Sequence, residues 1–573
     1  MVRRWSASET EADQKAGAEG SESGHGYGYG YGHGYGYGHG NGYGHGCRAY
    51  NSSQEEAMLP ILDNEGIREA DRSTIEDLGV SGIVLMENAA TGVVDAIRES
   101  FPEARQILIL CGPGNNGGDG FAAARHLHNG GLDAHLCLIG DPNRLGGDAA
   151  TNFGLASAFG VPIAVIEGDD LSTIEALIDD WPADLVVDAL LGTGSDRPLA
   201  GRYASLVEMV ESSGLPVVAV DVPTGLNGSS ADVPGAHLPA DQTVTFAALK
   251  TCHVLPPACT ACGEVALVDI GIPPAALEAG CSLWLTEAED IALMLPQRMP
   301  DAHKGRFGHL LIAAGASGRG GAVAMAARSA VVVGSGLVTM AVPEPVVPVV
   351  DGACLEAMTH GLPADKAGAV AGFDGLDELL ERVSAVAAGP GLGTGRGASE
   401  MLAGLLHTWN GPLLLDADAI NLLAGDPEKL AGRATPPVLT PHPGELARLL
   451  GEATPDIVTD RLGAAREAAR RAGAIVVAKG YGTVIAEPGG QAWINPTGDV
   501  GLASGGSGDV LTGTIGGLLA QGVEPLRAAL VGCWLHGRAG EIGGEIYPAA
   551  VPAGELSGLL ADAWRELEDA DED

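Results

Sequence analysis

The sequence is poor in lysine and in positive charge. Its 573 residues include 32 Lys and Arg against 74 Asp and Glu, which gives a net charge of −42 at pH 7. A chain this acidic repels phosphate backbones and anionic lipids, so neither nucleic acid nor a membrane is an expected partner. Only six residues are lysine: Lys15, Lys250, Lys304, Lys366, Lys429 and Lys479. An acidic chain with few lysines is typical of a halophilic protein, because high salt screens its like charges.

Cysteine and long apolar runs are also scarce. Nine cysteines are too few for a disulfide scaffold. The single CxxC pair, Cys259 and Cys262, has no second pair that would complete a zinc site. No run of 18 apolar residues is free of Gly, Pro and charge, which predicts no membrane span. The Arg3-Arg4 pair lacks the apolar segment of an export signal, so we expect a soluble, cytoplasmic protein.

The chain divides into a low-complexity segment and two longer regions. Residues 1–55 are predicted to be a disordered tail, because Gly alternates with Tyr or His over 24–46 and cannot supply a packed face. Beyond it, short apolar runs alternate with helical patterns, and the pattern weakens near 280–298 before it restarts. This predicts two tandem α/β/α domains, 57–280 and 295–570, each with a mainly parallel sheet covered by helices on both faces. Strands are predicted at 106–111, 134–139, 185–190, 217–221 and 243–246, and at 309–313, 383–388, 413–416, 438–440 and 475–478.

In the first region, polar residues follow the carboxyl ends of the predicted strands, where parallel sheets bind ligands. A glycine-rich loop at 112–120 leads into a helix predicted over 121–127. Its glycines allow the backbone to approach a ligand, and its amides suit phosphate. Asp188 and Asp221 end neighbouring strands, where a carboxylate serves as a helix cap, a cation ligand or an acid/base. Three oxygen donors with a single charge suit a monovalent cation: Asn116, Asp188 and Thr224.

In the second region, the segment 505–509, Gly-Gly-Ser-Gly-Asp, precedes an apolar helix predicted to begin near Gly508. Small residues at a helix start expose amides that stabilise charge on a transferred phosphoryl group. An adjacent carboxylate accepts the proton of an attacking hydroxyl. This combination resembles ribokinase-like kinases. Further polar or glycine-rich motifs lie at 303–308, 315–321, 389–393, 415–421, 440–445 and 479–483.

The first region resembles the NAD(P)H-hydrate epimerase family over about 57–275. The motifs are Asn-Asn-Gly-Gly-Asp at 115–119, Asp-Ala-Leu-Leu-Gly-Thr-Gly at 188–194 and Asp-Val-Pro-Thr-Gly at 221–225. The resemblance implies a Rossmann-like domain that interconverts the R and S forms of hydrated NAD(P)H, with Asp221 as the candidate acid/base. Implied substrate contacts are Asn115, Asn116, Gly117, Gly118, Asp119, Gly192, Thr193, Gly194, Ser195, Asp196, Arg197, Pro198 and Asp221, of which 192–198 would surround the phosphates. Implied potassium ligands are Asn116, Asp188 and Thr224; the family usually has Ser at the last position, and Thr keeps the hydroxyl.

The second region resembles the ADP-dependent NAD(P)H-hydrate dehydratase family over about 295–565. Pro-His-Pro-Gly-Glu at 441–445 and Asp-Ala-Asp-Ala-Ile-Asn at 416–421 are not expected of sugar kinases with the same fold. The resemblance implies a ribokinase-like domain that uses ADP with magnesium and releases AMP and phosphate, with Asp509 as the catalytic base. Implied contacts to the hydrated dinucleotide are Ala322, Gly391, His442 and Asp509. Implied contacts to the adenine nucleotide are Lys479, Gly480, Tyr481, Gly482, Thr483 and Gly508.

Two alternative functions remain open at this point. The second region could be a ribokinase-like kinase for a small alcohol, fused to a nucleotide-binding module without activity. The first region could also be a ligand-sensing or protein-binding module. Two of the predicted contacts could also have a purely structural role. His442, between two prolines, could serve merely to shape a turn, and Gly391 could serve merely to permit one. The residues do not decide between ADP and ATP or between NADH and NADPH, and a homo-oligomer is possible.

Overall fold

The computed structural model describes residues 2–5, 58–194 and 197–570. Most of the predicted disordered tail lies outside these residues. Strand β1 (Val2–Trp5) instead pairs in parallel with a strand at 264–268, so the predicted disorder does not apply to residues 2–5. Without β1 the partner would be the edge strand of its sheet, and the unpaired backbone groups of such an edge accept an added strand.

The first sheet contains eight strands, all parallel. Besides β1 they are β3 (Gln106–Cys111), β4 (Asp133–Leu138), β5 (Ile163–Val165), β6 (Leu185–Ala189), β7 (Val217–Val220), β8 (Gln242–Phe246) and β10 (Glu264–Val268). The spatial order is β1-β10-β8-β7-β6-β3-β4-β5. From β5 to β8 this is the 3-2-1-4-5-6 order of doubly wound sheets, in which the chain changes direction between β3 and β6. The helices of this part are α1 (Asn64–Arg72), α2 (Gly82–Ser100), α3 (Asn115–Asn129), α4 (Gly147–Ala158), α5 (Ser172–Asp179), α6 (Arg202–Ser213), α7 (Thr251–Val254) and α8 (Pro274–Glu278).

The second sheet contains twelve strands and is also mostly parallel. They are β2 (Leu59–Leu62), β9 (Leu249–Lys250), β11 (Leu283–Leu285), β12 (His309–Ala313), β13 (Leu337–Pro343), β14 (Met358–Leu362), β15 (Ala385–Ala388), β16 (Leu413–Leu415), β17 (Val438–Leu439), β18 (Ile475–Ala478), β19 (Thr483–Ala486) and β20 (Ala492–Asn495). Their order is β14-β13-β12-β15-β16-β17-β18-β19-β20-β11-β2-β9. Only β19 with its two neighbours and the β11–β2 pair are antiparallel.

Helices surround this second sheet as well. They are α9 (Ala288–Ala292), α10 (Gly320–Val332), α11 (Val347–Asp351), α12 (Asp377–Leu380), α13 (Arg396–Thr408), α14 (Asp418–Asn421), α15 (Pro443–Leu450), α16 (Thr454–Thr459), α17 (Arg461–Ala472), α18 (Ser507–Ala520), α19 (Pro525–Ile546) and α20 (Ala553–Ala570). Two parallel-rich sheets with helices confirm the predicted α/β class. The central strands are apolar throughout, as in β3, because helices bury both of their faces.

Two strands from the predicted first domain belong to the second sheet. The short strands β2 and β9 extend it beyond β11, which itself lies between the two predicted domains. Leu59, Ile61 and Leu249 accordingly pack in the same buried core as Leu283 and Ile494. The two parts of the chain therefore share a sheet and a core.

Among the described residues, no helix is both long enough and apolar enough to cross a membrane.

Candidate active sites

A cavity of about 630 Å³ opens at the change of direction between β3 and β6. The segments that follow β3, β6 and β7 form its walls, together with helices α1 and α3. Seven of the predicted substrate contacts line it: Asn115, Asn116, Asp119, Gly192, Thr193, Gly194 and Asp221. Four other predicted contacts do not line the cavity. Gly117 and Gly118 are buried within α3, and Arg197 and Pro198 lie outside the set of lining residues. The predicted contacts Ser195 and Asp196 lie outside the described residues.

Helix α3 begins at Asn115, so the prediction of a loop up to residue 120 is wrong. Glycine is unfavourable in the interior of a helix. Here its lack of a side chain allows α3 to approach neighbouring segments closely. A Cβ atom on Gly117 would lie 1.9 Å from the Gly112 carbonyl oxygen. A Cβ atom on Gly120 would lie 2.6 Å from Cβ of Ala189 in β6. The glycines therefore bring the start of α3, with its free amides, to the cavity.

Asp221 is held at the cavity by Lys250. The Lys250 ammonium lies 2.6 Å from Oδ1 of Asp221 and also donates to Thr245 Oγ1 and to the Phe246 carbonyl. Lys250 is 1% exposed, so this ion pair is shielded from water. Burial raises the pKa of Asp221, but the Lys250 charge outweighs it and holds the pKa below the usual value. Asp221 also has a positive φ of 66°, a conformation that Asp tolerates better than most residues.

Two further carboxyl groups, Asp119 and Asp71, line the same cavity. Burial raises the pKa of Asp119 well above its usual value, and the charges of Asp221 and Asp71 add to that effect. Burial also raises the pKa of Asp71, against the charge of Lys250. Asp71 lies on α1 outside any motif, and neither it nor Lys250 is among the predicted site residues.

Of the three predicted cation ligands, Asp188 and Thr224 are in contact, and Asn116 lies beside the cavity segment that follows β6. Asp188 is fully buried, and its Oδ1 accepts a hydrogen bond of 2.7 Å from Thr224 Oγ1. Its Oδ2 accepts the Thr224 N–H at 2.8 Å. Asn116 Oδ1 lies close to Gly192, and its Nδ2 is buried without a partner among the described residues. Burial raises the pKa of Asp188 to about 6, and no cationic side chain of the described ranges offsets this.

A group of sulfur and nitrogen atoms lies close to Lys250. The ligand atoms of Cys252, His253 and Cys262 lie within 4.8 Å of one another. The Lys250 backbone N–H donates to Nδ1 of His253, so Nδ1 carries no hydrogen and Nε2 does. Nδ1 of His253 is thus engaged with the backbone of Lys250.

In the second part of the chain, α18 begins at Ser507, as the glycine-rich motif predicts. Gly506 precedes it with φ 99°, and a Cβ atom there would lie 2.5 Å from the end of the Met325 side chain. Asp509 lies in the first turn of α18. The Ser507 carbonyl and hydroxyl contact Nε2 of His536, at 2.9 and 3.2 Å, which secures this turn.

Lys479 connects α18 to the end of β16. Its ammonium lies 3.0 Å from Oδ1 of Asp416, which follows β16 and is 2% exposed. Asp416 also accepts hydrogen bonds from Thr440 at 2.7 Å and from Thr512 at 2.8 Å. A Cβ atom on Gly508 would lie 3.5 Å from Lys479 Nζ, so the ammonium lies at the start of α18.

These neighbours act on Asp509. Burial raises its pKa to about 6, the Asp416 charge adds to that rise and the Lys479 charge opposes it. A carboxyl with this pKa is ionised at neutral pH and still accepts a proton readily, which suits a general base. Asp416 lies in one of the motifs of the second region but is not among the predicted site residues.

The segment 479–483 forms a loop between β18 and β19 that Arg461 holds in place. The Arg461 guanidinium donates to the carbonyls of Tyr481 and Gly482. Gly480 and Gly482 both have positive φ, and Tyr481 is 71% exposed. The loop thus presents an exposed aromatic ring two residues after Lys479.

The other predicted contacts lie at the ends of nearby elements. His442 caps α15 through Nδ1, which accepts the Gly444 N–H at 3.0 Å, and half of its side chain remains exposed. Gly391 has φ 62° and lies against Arg319, and Ala322 lies in the first turn of α10. His442 and Gly391 therefore do shape turns, and that role leaves room for ligand contact.

Comparisons with known proteins agree for both parts of the chain. Residues 310–559 match a family model described as NAD(P)H-hydrate dehydratase, and residues 82–252 match one described as YjeF-related protein N-terminus. The chain is 41% identical over 507 residues to the bifunctional NAD(P)H-hydrate repair enzyme Nnr of Moorella thermoacetica, covering 87% of this chain and 95% of that protein. It is 38% identical over 528 residues to the enzyme of the same name from Salinibacter ruber, covering 89% and 97%. A crystal structure of the ADP/ATP-dependent NAD(P)H-hydrate dehydratase from Bacillus subtilis, co-crystallised with ATP and Mg²⁺, is 32% identical with a TM-score of 0.45, covering 50% of this chain and 98% of that one.

Proposed function

Since the chain belongs to the family of bifunctional NAD(P)H-hydrate repair enzymes, we propose that its two active sites are the cavity beside β3 and β6 and the start of helix α18. The chain repairs hydrated NAD(P)H: one part epimerises the R and S hydrates, and the other dehydrates the S form with the consumption of a nucleotide. The fused small-alcohol kinase is therefore not supported, and the first part is an enzyme domain. What we propose further is which residues carry each reaction.

The first cavity suits a hydrated dinucleotide in size and in chemistry. Its volume of about 630 Å³ falls in the range of small-molecule sites. The amides at the start of α3 and the glycines 192–194 offer donors to phosphate. Asp221 and Asp119 lie deeper, where they would meet the nicotinamide ring. In the epimerase cavity, then, glycine-lined amides take the place of the basic side chains that this chain lacks.

Potassium fits the group formed by Asn116, Asp188 and Thr224. Asp188 is a buried carboxylate without a cationic partner in the described parts of the chain, and its neighbours offer a hydroxyl and an amide oxygen. Hard oxygen donors with one negative charge suit a monovalent ion. Such an ion would neutralise Asp188 and fix the 190–194 segment against α3. The proposed epimerisation uses only side chains of the protein.

For the dehydratase, we propose that Asp509 accepts the proton of the C6 hydroxyl as that oxygen attacks the terminal phosphoryl group of ADP. The amides at 505–508 and the Lys479 ammonium stabilise the charge that develops on the transferred group. The 6-phosphate then leaves with help from the ring nitrogen, and loss of a proton from C5 forms the C5–C6 double bond, which yields NAD(P)H, phosphate and AMP. The hydrated dinucleotide would be contacted by Ala322, Gly391 and His442. The adenine nucleotide would be contacted by residues 479–483 and by Gly508.

Magnesium enters this proposal together with the nucleotide. Magnesium usually binds through one or two carboxylates plus substrate phosphates and water. Across the described ranges, no group of three carboxylates is preassembled for a cation. Asp416 is already occupied by Lys479 and two threonines, which is consistent with an ion that arrives on the phosphates.

The observation that carries the dehydratase assignment is Asp509 in the first turn of α18, beside the ammonium of Lys479. The test supplies the full chain with the S hydrate and either ADP or ATP in molar KCl. We expect the NADH absorbance band to return, with one AMP formed per NADH when ADP is supplied. Supplying the R hydrate alone should give the same product after epimerisation. Formation of a phosphorylated alcohol without NADH would contradict the proposal.

A further inference from the structure

Three carboxyl groups of the epimerase cavity have different surroundings. Asp71, Asp119 and Asp221 all line the cavity, and Lys250 is the cation nearest to them. The Lys250 ammonium donates its three hydrogen bonds to Asp221, Thr245 and the Phe246 carbonyl. It has none left for the other two carboxyl groups, so only Asp221 has a counter-ion in contact.

Asp119 has no such counter-ion in contact among the described residues. Within residues 58–194 and 197–570, no donor forms a hydrogen bond with its carboxyl group. It projects from α3 towards two other carboxyl groups, Asp221 beyond β7 and Asp71 on α1. The remaining charged residues of the lining are Arg68 on α1 and Asp148 on α4. An unsupported carboxyl group that faces two negative charges keeps its proton more readily than its paired neighbour does.

We propose that Asp119 donates a proton and Asp221 accepts one in an epimerisation that opens and recloses the hydrated ring. The inference rests on the proposed epimerase function, and it assigns separate roles to two carboxyl groups of one cavity. Pairs of carboxyl groups in contrasting environments divide acid and base roles in this way.

Each step balances. C6 of the hydrate carries the hydroxyl group and is bonded to the ring nitrogen N1. Asp221 removes the hydroxyl proton, the C6–N1 bond breaks as the C6 carbonyl forms, and Asp119 gives its proton to N1. Rotation about the C5–C6 bond turns the other face of the aldehyde towards N1. N1 then attacks C6, Asp119 regains its proton from N1, and Asp221 returns its proton to the oxygen.

This route restores both carboxyl groups to their starting states, so the same enzyme form serves R to S and S to R. Loss of water from one face and its return to the other would instead require opposite protonation states in the two directions. The structure favours one fixed pair of states. Burial raises the pKa of Asp119 well above its usual value, whereas Lys250 overrides burial and lowers the pKa of Asp221.

The test measures epimerase kinetics on the full chain by separating the R and S hydrates after timed reactions. We expect Asp119→Asn to lower kcat at least about 100-fold, the usual contribution of a general acid, with KM within about threefold. Dehydration of the S hydrate by the same variant should be unchanged, which shows that the chain is folded. The control is Asp179→Asn, at an exposed position on α5 outside the cavity lining, which should leave kcat unchanged.

Two further readouts separate a catalytic role from a structural one. Asp71→Asn removes a negative neighbour of Asp119 and should move the alkaline limb of the epimerase pH profile to lower pH. In H₂¹⁸O, ring opening should bring in far less than one labelled oxygen per epimerisation, measured by mass spectrometry. Wild-type kcat in Asp119→Asn, or one labelled oxygen per turnover, would overturn the inference. A wild-type chain that interconverts no epimers would instead overturn the proposed function.

Discussion

The ammonium of Lys479 lies 3.0 Å from Oδ1 of Asp416, and that of Lys250 lies 2.6 Å from Oδ1 of Asp221. Each lysine therefore meets a largely buried carboxylate just beyond a strand end, one at each proposed active site. Two of the six lysines in the chain are used in this way. In such pairs, loss of one partner leaves the other charge buried without compensation.

Removal of the Lys250 charge should destabilise the protein. We expect Lys250→Met to lower the free energy of unfolding by about 3–5 kcal/mol, because Asp221 then lacks its counter-ion. Adding Asp221→Asn should recover part of the loss, since Asn is neutral and tolerates the positive φ. Urea unfolding measures both effects. The control Lys366→Met changes an exposed lysine and should stay within about 0.5 kcal/mol. An equal loss in both single variants would contradict the prediction.

Asp509→Asn should remove dehydration and spare epimerisation. The amide keeps the shape of the side chain but cannot accept the hydroxyl proton, so we expect kcat to fall at least about 100-fold. Recovery of NADH absorbance from the S hydrate measures this loss, and interconversion of the hydrates serves as the internal control. Asp456→Asn, at an exposed position on α16, should leave both rates unchanged. Retained dehydration in Asp509→Asn would refute the assigned role.

The dehydratase rate should rise with pH through about 6. Burial raises the pKa of Asp509 to about 6, and the general base must be ionised, so activity is lost as pH falls below that value. Asp416→Asn removes a charge that raises this pKa and should move the limb to lower pH. Lys479→Met removes a charge that lowers it and should move the limb to higher pH. Profiles of kcat against pH for the three proteins test the signs, and shifts in the same direction would exclude this explanation.

Close packing of α3 should make its glycines sensitive to substitution. In Gly120→Ala the new Cβ atom would lie 2.6 Å from Ala189 and 2.7 Å from Cys111 Sγ, which should cost about 1–3 kcal/mol. Gly154→Ala is the matched control on α4, where nothing lies within 4 Å of the new atom. Gly154→Ala should leave the free energy of unfolding unchanged or raise it by about 0.5–1 kcal/mol, because alanine reduces the backbone freedom of the unfolded chain. Thermal unfolding of both variants compares the two outcomes, and equal stability would contradict the packing argument.

The net charge of −42 predicts dependence on salt. Unscreened repulsion among 74 acidic residues opposes the compact state, and molar KCl shortens the screening length to about 3 Å. We expect the thermal midpoint and both activities to fall when the protein is moved from molar KCl to dilute buffer. NaCl at equal ionic strength separates screening from a specific effect of potassium on the epimerase. Full activity and an unchanged midpoint in dilute buffer would count against this prediction.

The sequence predicted the α/β class and most central strands, because buried parallel strands are continuous apolar runs such as 106–111. It failed at α3, where glycines needed for close packing look like a loop. It also failed at β2 and β9, strands of two to four residues that pair only with distant segments.

The candidate sites show the same division. Asp221, Asp509 and Lys479 lie in motifs at strand or helix ends, so the sequence predicts them as site residues. Asp71 lies on a helix with no motif around it, and its place in the cavity follows from the packing of α1, whose Ile67 and Ala70 share a buried core with residues of the first sheet. The support that Asp416 gives Lys479 comes from residues 63 positions apart, a pairing that no local pattern encodes.

The extension of the second sheet by β2 and β9 bears on how this protein unfolds and how it can be divided. A cut near residue 290 would separate β2 and β9 from β20, and each fragment would expose an open sheet edge that invites aggregation. The intact chain should therefore melt in a single cooperative transition, with both activities lost at one temperature.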